Sequence, residues 1–176
     1  MESILIILAF VIAIALIFWL DRKGKTEKSE VERIYNEIFK IFNKVKWGIT
    51  MGELREAFKD KEFVTSEESG EVMGTGFMDK LEGQDIFISF YFPKEDKDTL
   101  IRADYYLIGM PTSKVNPLFS KFIEKYGTPL PQNSGDQKSS SWDLGNSVLT
   151  LEPTDGEALQ IQLWSKEFYN KINKVI

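Results

Sequence analysis

The chain begins with an uncharged, strongly apolar run that extends from Ser3 to Leu20. As an α-helix, a run of this length would measure ~27 Å, which is close to the hydrocarbon thickness of a bilayer. Trp19 lies at its end, where an amphipathic ring favours the membrane interface, and charged residues begin at Asp21. The sequence therefore predicts a transmembrane helix over residues 1–20, followed by a charged connector over residues 21–28.

A cleaved signal peptide is the main alternative for the apolar run. Such a peptide needs basic residues before its apolar core and small residues at a cleavage site. Here Glu2 precedes the run, and the bulky residues Phe18 and Trp19 end it. The pattern therefore favours an uncleaved signal anchor that crosses the membrane once.

Basic residues near the two ends of the run predict its orientation. They concentrate on the carboxyl side, whereas the amino side offers only the terminal amine beside Glu2. This asymmetry favours the cytoplasmic side of the cell (inner) membrane for the domain, with the extracytoplasmic side as the alternative. The candidate membrane-surface contacts are Trp19, Arg22, Lys23 and Lys25, although the basic residues can also be explained as a stop-transfer signal.

Composition limits the remainder of the chain to one ordinary domain, which we place at residues 29–176. The chain has 176 residues, 43% of them hydrophobic and 13% aromatic, so it can bury a substantial core. A net charge of −5 argues against nucleic acid as the main partner. Cysteine and histidine are absent, which excludes disulfides, thiolate metal sites and the usual catalytic triads.

Capping and periodicity patterns predict the elements of this domain. Ser29 and Glu32 form one capping box and Thr50 and Glu53 a second, each ahead of an amphipathic helical pattern. The first pattern, from Val31 to Val45, is typical of a core helix, with a partner-binding helix as the alternative. Four strand patterns follow, then a helix that begins at Asn116-Pro117 and ends at Tyr126, a loop over 130–141, three more strands and a closing helix. The predicted class is α+β, with an antiparallel sheet covered by helices on one face and elements in the order helix, meander, helix, meander.

Alternation along the strands separates two faces of the predicted sheet. Ile86, Ile88, Phe90 and Phe92 share one face and are core candidates, as are Ile101, Ala103, Tyr105 and Leu107 on the next strand. The opposite face is more apolar than contact with solvent alone would require. Its aromatic residues are our candidate partner or ligand contacts, with packing beneath a helix as the alternative: Phe87, Tyr91, Tyr106 and Trp164.

Three local motifs resemble a group of bacterial envelope domains. They are Trp47-Gly48-Ile49-Thr50-Met51-Gly52-Glu53 at a helix entry, Tyr126-Gly127-Thr128-Pro129 at a helix exit, and Trp142 on a strand. The order of these motifs, and the architecture it implies, is similar to the fold shared by small outer-membrane assembly lipoproteins and the tandem-repeat β-lactamase-inhibitor proteins. The resemblance covers about residues 47–165 and implies a non-enzymatic binding scaffold. The chain departs from the lipoproteins in lacking a lipobox cysteine.

The sequence offers no candidate catalytic, cofactor-binding or metal-binding residue. Gly74 and Gly76 lie in a strand pattern without the features of a phosphate loop, so we interpret them as a bulge or a close backbone approach. Carboxylates such as Asp79 and Asp85 fit solvated turns better than an acid–base pair. The predicted function is a membrane-anchored, non-enzymatic protein-interaction module. The alternative is a membrane-tethered domain that binds a small ligand or a lipid in an aromatic cavity between sheet and helices.

Overall fold

The computed structural model describes residues 2–67, 72–81, 83–96, 99–110, 112–130, 139–154 and 158–173. These ranges form one seven-stranded sheet and four helices. In chain order the elements are α1 (Glu2–Lys44), α2 (Met51–Ala57), β1 (Val64–Glu67), β2 (Val72–Leu81), β3 (Gln84–Pro93), β4 (Arg102–Ile108), α3 (Thr112–Tyr126), β5 (Ser140–Asp143), β6 (Ser147–Thr154), β7 (Ala158–Ser165) and α4 (Lys166–Asn173). The α+β character predicted from the sequence is confirmed.

The sheet consists of two antiparallel meanders joined side by side. Its strand order is β1-β2-β3-β4-β7-β6-β5, with every neighbouring pair antiparallel. The last strand of each meander meets the other at the centre, where Ala103 pairs with Leu163 and Tyr105 with Ile161. α3 connects the meanders, so residues distant in sequence become neighbours in the middle of the sheet.

The predicted transmembrane helix over residues 1–20 is wrong. Residues 2–20 are helical, but they belong to α1, which continues to Lys44. Within the described ranges, no helix is long and apolar enough to cross a bilayer. The prediction relied on the apolar length of residues 3–20, whereas the structure makes them the first part of a 43-residue helix whose later residues are rich in charge.

The predicted helix start at Ser29 is wrong for the same reason. The connector over residues 21–28 is part of α1, and Ser29 is an exposed residue inside that helix. Gly24 costs a helix interior only ~1 kcal/mol, and no proline interrupts the segment. A capping box forms only where the residues that precede it are not helical.

The second half of α1 contributes to the core, as the core-helix interpretation predicts. Ile34, Ile38 and Phe42 are buried against the sheet and α3. The Phe42 ring meets Tyr105 edge-on at 5.6 Å between centroids. α2 covers the β2–β3 side, where the Phe58 ring packs on Phe77 at 5.3 Å. All eight core residues predicted on β3, on β4 and immediately before β4 are buried.

Two further helix predictions need correction. α3 begins at Thr112, which places Pro117 inside the helix rather than at its start. The proline ring opposes the carbonyl group of residue 113. That carbonyl lies in the first turn of α3, where the helix can accommodate the ring. α4 lies on the opposite face of the sheet from α1, because Phe168 stacks on the outward-facing ring of Trp164 at 6.5 Å. The helices therefore do not all cover one face.

Candidate interaction surface

The face of the sheet opposite α1, α2 and α3 carries a continuous array of side chains, which we call the open face. Strand register arranges it in three rows that run across the strands. The upper row is Met78, Phe87, Tyr106, Gln160 and Glu152; the middle row is Val64, Gly76, Ser89, Asp104, Gln162, Thr150 and Ser141; the lower row is Gly74, Tyr91, Arg102, Trp164, Val148 and Asp143.

The middle row is made almost entirely of small and polar residues. Ser89 and Asp104 are buried at 3% and 0% exposure. They are buried because the aromatic and long side chains of the two outer rows lie beside them. At Gly76 an added Cβ would stand 2.3 Å from the Ile88 carbonyl oxygen and 2.9 Å from the Phe87 ring. The predicted close backbone approach is therefore confirmed at this glycine.

Arg102 organises the lower row. Its guanidinium carbon lies 3.7 Å from the centroid of the Tyr91 ring and 4.7 Å from that of Trp164. Its Nε lies 3.0 Å from Oδ1 of Asp104, in an ion pair that lacks hydrogen-bond geometry. Stacking on two rings and pairing with a buried carboxylate fix the guanidinium in one position.

Hydrogen bonds connect the upper row to the same carboxylate. Tyr106 donates its hydroxyl to Oδ2 of Asp104 at 3.2 Å. Gln160 donates Nε2 to Oδ2 at 2.9 Å and to the Tyr106 hydroxyl at 2.8 Å. Ser89 donates to the Tyr91 hydroxyl at 3.1 Å, and that hydroxyl lies 3.3 Å from the hydroxyl of Tyr106. The network spans β3, β4 and β7 and holds the open face rigid.

The electrostatics of this cluster keep its ionisable groups in fixed states. Burial alone lowers the pKa of Arg102, but the Asp104 carboxylate and the nearby phenols outweigh burial, so the pKa lies above its ordinary value. Burial, reinforced by the negative charge of Asp104, raises the pKa of Tyr106 well above its ordinary range. Arg102 therefore stays charged and Tyr106 stays protonated across physiological pH.

Exposed apolar side chains stand around this rigid centre. Met78 is 54% exposed, Ile108 is 48% exposed and Val64 is 60% exposed. Ile108 continues the outward-facing positions of β4 one step beyond Tyr106. Phe87 is half-buried, with its ring 6.2 Å from that of Tyr106. The β2–β4 part of the open face therefore presents an apolar rim.

The four aromatic residues singled out from the sequence all lie on this face. Phe87 and Tyr106 contact each other, and Tyr91 and Trp164 both contact Arg102. Tyr91 is 4% exposed, so it supports Arg102 more than it offers surface. Trp164 is partly covered by α4. Their role as partner or ligand contacts stays a prediction.

Sequence reasoning missed the polar centre of the cluster. Asp104 and Gln160 alternate in phase with the aromatic residues of β4 and β7, which places them on the same face. That signal gives the face but not the contact, because the two residues are 56 positions apart in sequence. Nothing in either strand alone indicates that β4 and β7 are neighbours.

The candidate membrane-surface residues lie on α1, away from the open face. Trp19, Arg22, Lys23 and Lys25 are exposed, and the Lys23 ammonium lies 5.5 Å from the Trp19 ring centroid. Their contact with a membrane surface, and the side of the membrane proposed for the domain, stay predictions. Within the described part of the chain, no group of three or more acidic residues is placed to hold a metal ion.

In comparisons with known proteins, no protein-family model, no curated protein and no solved structure matches this chain. The resemblance to the envelope domains therefore stays a prediction based on the three local motifs.

Proposed function

We propose that this protein is a non-enzymatic protein-interaction module that docks a folded partner protein on its open face. The observation that carries the proposal is that an exposed apolar rim at Met78 and Ile108 shares one sheet face with a Tyr–Arg–Trp cluster, which lies in the lower row. Tyrosine, tryptophan and arginine are the residues most enriched at the energetic centres of protein interfaces.

The rigidity of the open face supports a docking role. The Asp104 carboxylate accepts hydrogen bonds from Tyr106 and Gln160 and is paired with Arg102. These contacts within the protein order the side chains of the open face before a partner binds. A surface that is already ordered loses little conformational entropy on binding, which favours affinity.

A surface-charge substitution tests the docking role. The variant Met78→Asp/Ile108→Asp places two charges on the apolar rim at positions that are about half exposed, so we expect it to fold. Affinity purification of the tagged chain under native conditions should recover a stoichiometric partner with the wild type, and at least tenfold less of it with the variant.

The matched control is Ile123→Asp/Leu130→Asp. It makes the same chemical change at two exposed apolar positions outside the open face, 38% and 42% exposed. The control should retain the partner. Equal recovery with both double variants, whether high or low, would contradict docking on the open face.

A further inference from the structure

A second candidate site lies on the other side of the molecule, between the end of α1 and the β5–β6 turn. It is a cavity of about 440 Å³, which we call the α1–hairpin cleft. Its size falls within the ~300–1,000 Å³ typical of small-molecule sites. Its lining residues are Phe39, Phe42, Asn43, Val45, Lys46, Trp47, Leu144, Asn146, Ser147 and Leu163.

One part of the cleft wall is apolar and is held in place by the core. The ring of Phe42 is fixed against Tyr105 at 5.6 Å and against Phe39 at 6.0 Å. Leu163 belongs to the core cluster, and Leu144 packs against it. These contacts belong to the core, so they hold this part of the cavity wall in place.

Three polar side chains of the wall are hydrogen-bonded to one another. Trp47 donates its indole Nε1 to Ser147 Oγ at 2.8 Å, and Ser147 donates Oγ to Asn146 Oδ1 at 3.3 Å. The Trp47 ring is therefore locked to the β5–β6 turn. The backbone supports this position, because Ile49 N donates to Lys46 O at 3.1 Å and Leu100 N donates to Ile49 O at 3.3 Å.

Charge at the cleft has one sign. Of the ten lining residues, only Lys46 is charged, and it is exposed at the mouth beside Asn43. An apolar wall at Phe39, Phe42 and Leu163 together with one exposed ammonium suits a ligand with an apolar body and one anionic end. We propose that the α1–hairpin cleft binds a small amphipathic acid, with its hydrocarbon part among Phe39, Phe42 and Leu163 and its carboxylate beside Lys46.

This assignment is independent of the docking function proposed for the open face. None of the cleft residues belongs to the three rows of the open face, and the aromatic residues predicted from the sequence to contact a ligand do not line it. Failure of one proposal therefore leaves the other untouched.

Decanoate is the probe for the first measurement. Isothermal titration of the full chain with decanoate, below its micelle concentration, should show saturable binding of one molecule per chain. A photoreactive decanoate analogue with an aliphatic diazirine should label the peptides that contain residues 39–47 or 144–147. Labelling confined to other peptides would overturn the assignment.

Two variants with matched controls locate the site. Asn43→Trp fills the mouth and should weaken decanoate binding at least tenfold, whereas Asn36→Trp, an exposed asparagine two turns earlier on α1, should leave it within twofold. Lys46→Glu should weaken decanoate at least fivefold and leave decanol unchanged. Lys125→Glu makes the same charge change on α3 and should affect neither ligand.

The results separate the parts of the proposal. Binding that survives Asn43→Trp comes from elsewhere on the chain and overturns the site. Decanol binding as tight as decanoate, with both insensitive to Lys46→Glu, overturns the anionic end of the ligand. Absence of decanoate binding to the folded wild type overturns the whole assignment.

Discussion

A side chain at position 76 would occupy space that the neighbouring strand already fills. The nearest atom to an added Cβ at Gly76 is the Ile88 carbonyl oxygen at 2.3 Å, and backbone cannot move aside as a side-chain end can. We expect Gly76→Ala to lower the free energy of unfolding by about 3 kcal/mol, at the upper end of overpacking costs. Urea unfolding, monitored by circular dichroism, measures this change in the free energy of unfolding.

Gly52→Ala is the control for this residue. Gly52 lies in α2, where the nearest atom to an added Cβ is Thr50 Oγ1 at 3.9 Å. Because alanine favours a helix over glycine, this change should be neutral or stabilise the protein by up to ~1 kcal/mol. A Gly76→Ala protein as stable as the wild type would show that β2 and β3 lie further apart than described.

Charge balance at the centre of the open face gives a second prediction at this scale. Arg102→Met removes the cation beside the fully buried Asp104 and should cost about 3 kcal/mol, the lower end for breaking a buried pair, because Arg102 is partly exposed. Arg102→Met/Asp104→Asn removes both charges and retains an oxygen acceptor for Tyr106 and Gln160. Urea unfolding should place the double variant within ~1 kcal/mol of the wild type. A double variant as unstable as Arg102→Met would show that packing of the arginine, and not charge, stabilises the cluster.

At the scale of elements, the α2 capping box predicts a measurable pH dependence. Backbone and side-chain hydrogen bonds from Thr50 hold the pKa of Glu53 below its ordinary value of 4.5. A carboxyl group with a depressed pKa contributes its full stabilisation when the pH is above its ordinary pKa. This contribution is lost as the pH falls through the lower pKa of the folded state. The stability difference between wild type and Glu53→Gln should therefore be largest above about pH 4.5 and should shrink towards pH 3. Urea unfolding over this range tests it, with Glu56→Gln, an exposed glutamate of the same helix, as the control.

The two capping-box patterns explain how far local sequence can predict an element. Thr50 follows Gly48, whose φ of 84° turns the chain out of helical geometry, so a new helix begins there as predicted. Ser29 carries the same type of signal but follows a segment that is itself helical, so its box never forms.

Strand alternation predicts the faces of β3 and β4 because it depends on each strand alone. The Asp104–Gln160 contact depends on which strands become neighbours, and that choice is made by the packing of the whole chain.

At the scale of the whole molecule, the main question is which part of α1 belongs to the sheet domain. Among the α1 side chains whose burial the structure describes, Val31 is the first that is buried, and the nearby ion pair of Lys114 with Glu30 attaches the helix to α3. The residues of α1 from Val31 onward therefore belong to the sheet domain in energetic terms, although the helix itself begins at Glu2. The predicted domain boundary at residue 29 stays a prediction that truncation can test.

A chain that starts at Ser29 should keep the fold, because it retains the buried face of α1 and the ion pairs of Glu30 and Glu32 with lysines of α3. We expect its circular dichroism to retain the sheet signal while the helical signal falls, with a cooperative urea transition. A chain that starts at Val45 should not fold, because it loses Ile34, Ile38 and Phe42, each worth about 1.5–3 kcal/mol of burial, from a domain whose total stability is ~5–15 kcal/mol. Ile38→Asp in the chain that starts at Ser29 should likewise abolish the transition, since it buries an unpaired charge at a position with 0% exposure. A cooperative transition in the Val45 chain, or its absence in the Ser29 chain, would show that the second half of α1 is not the part of the helix that completes the core.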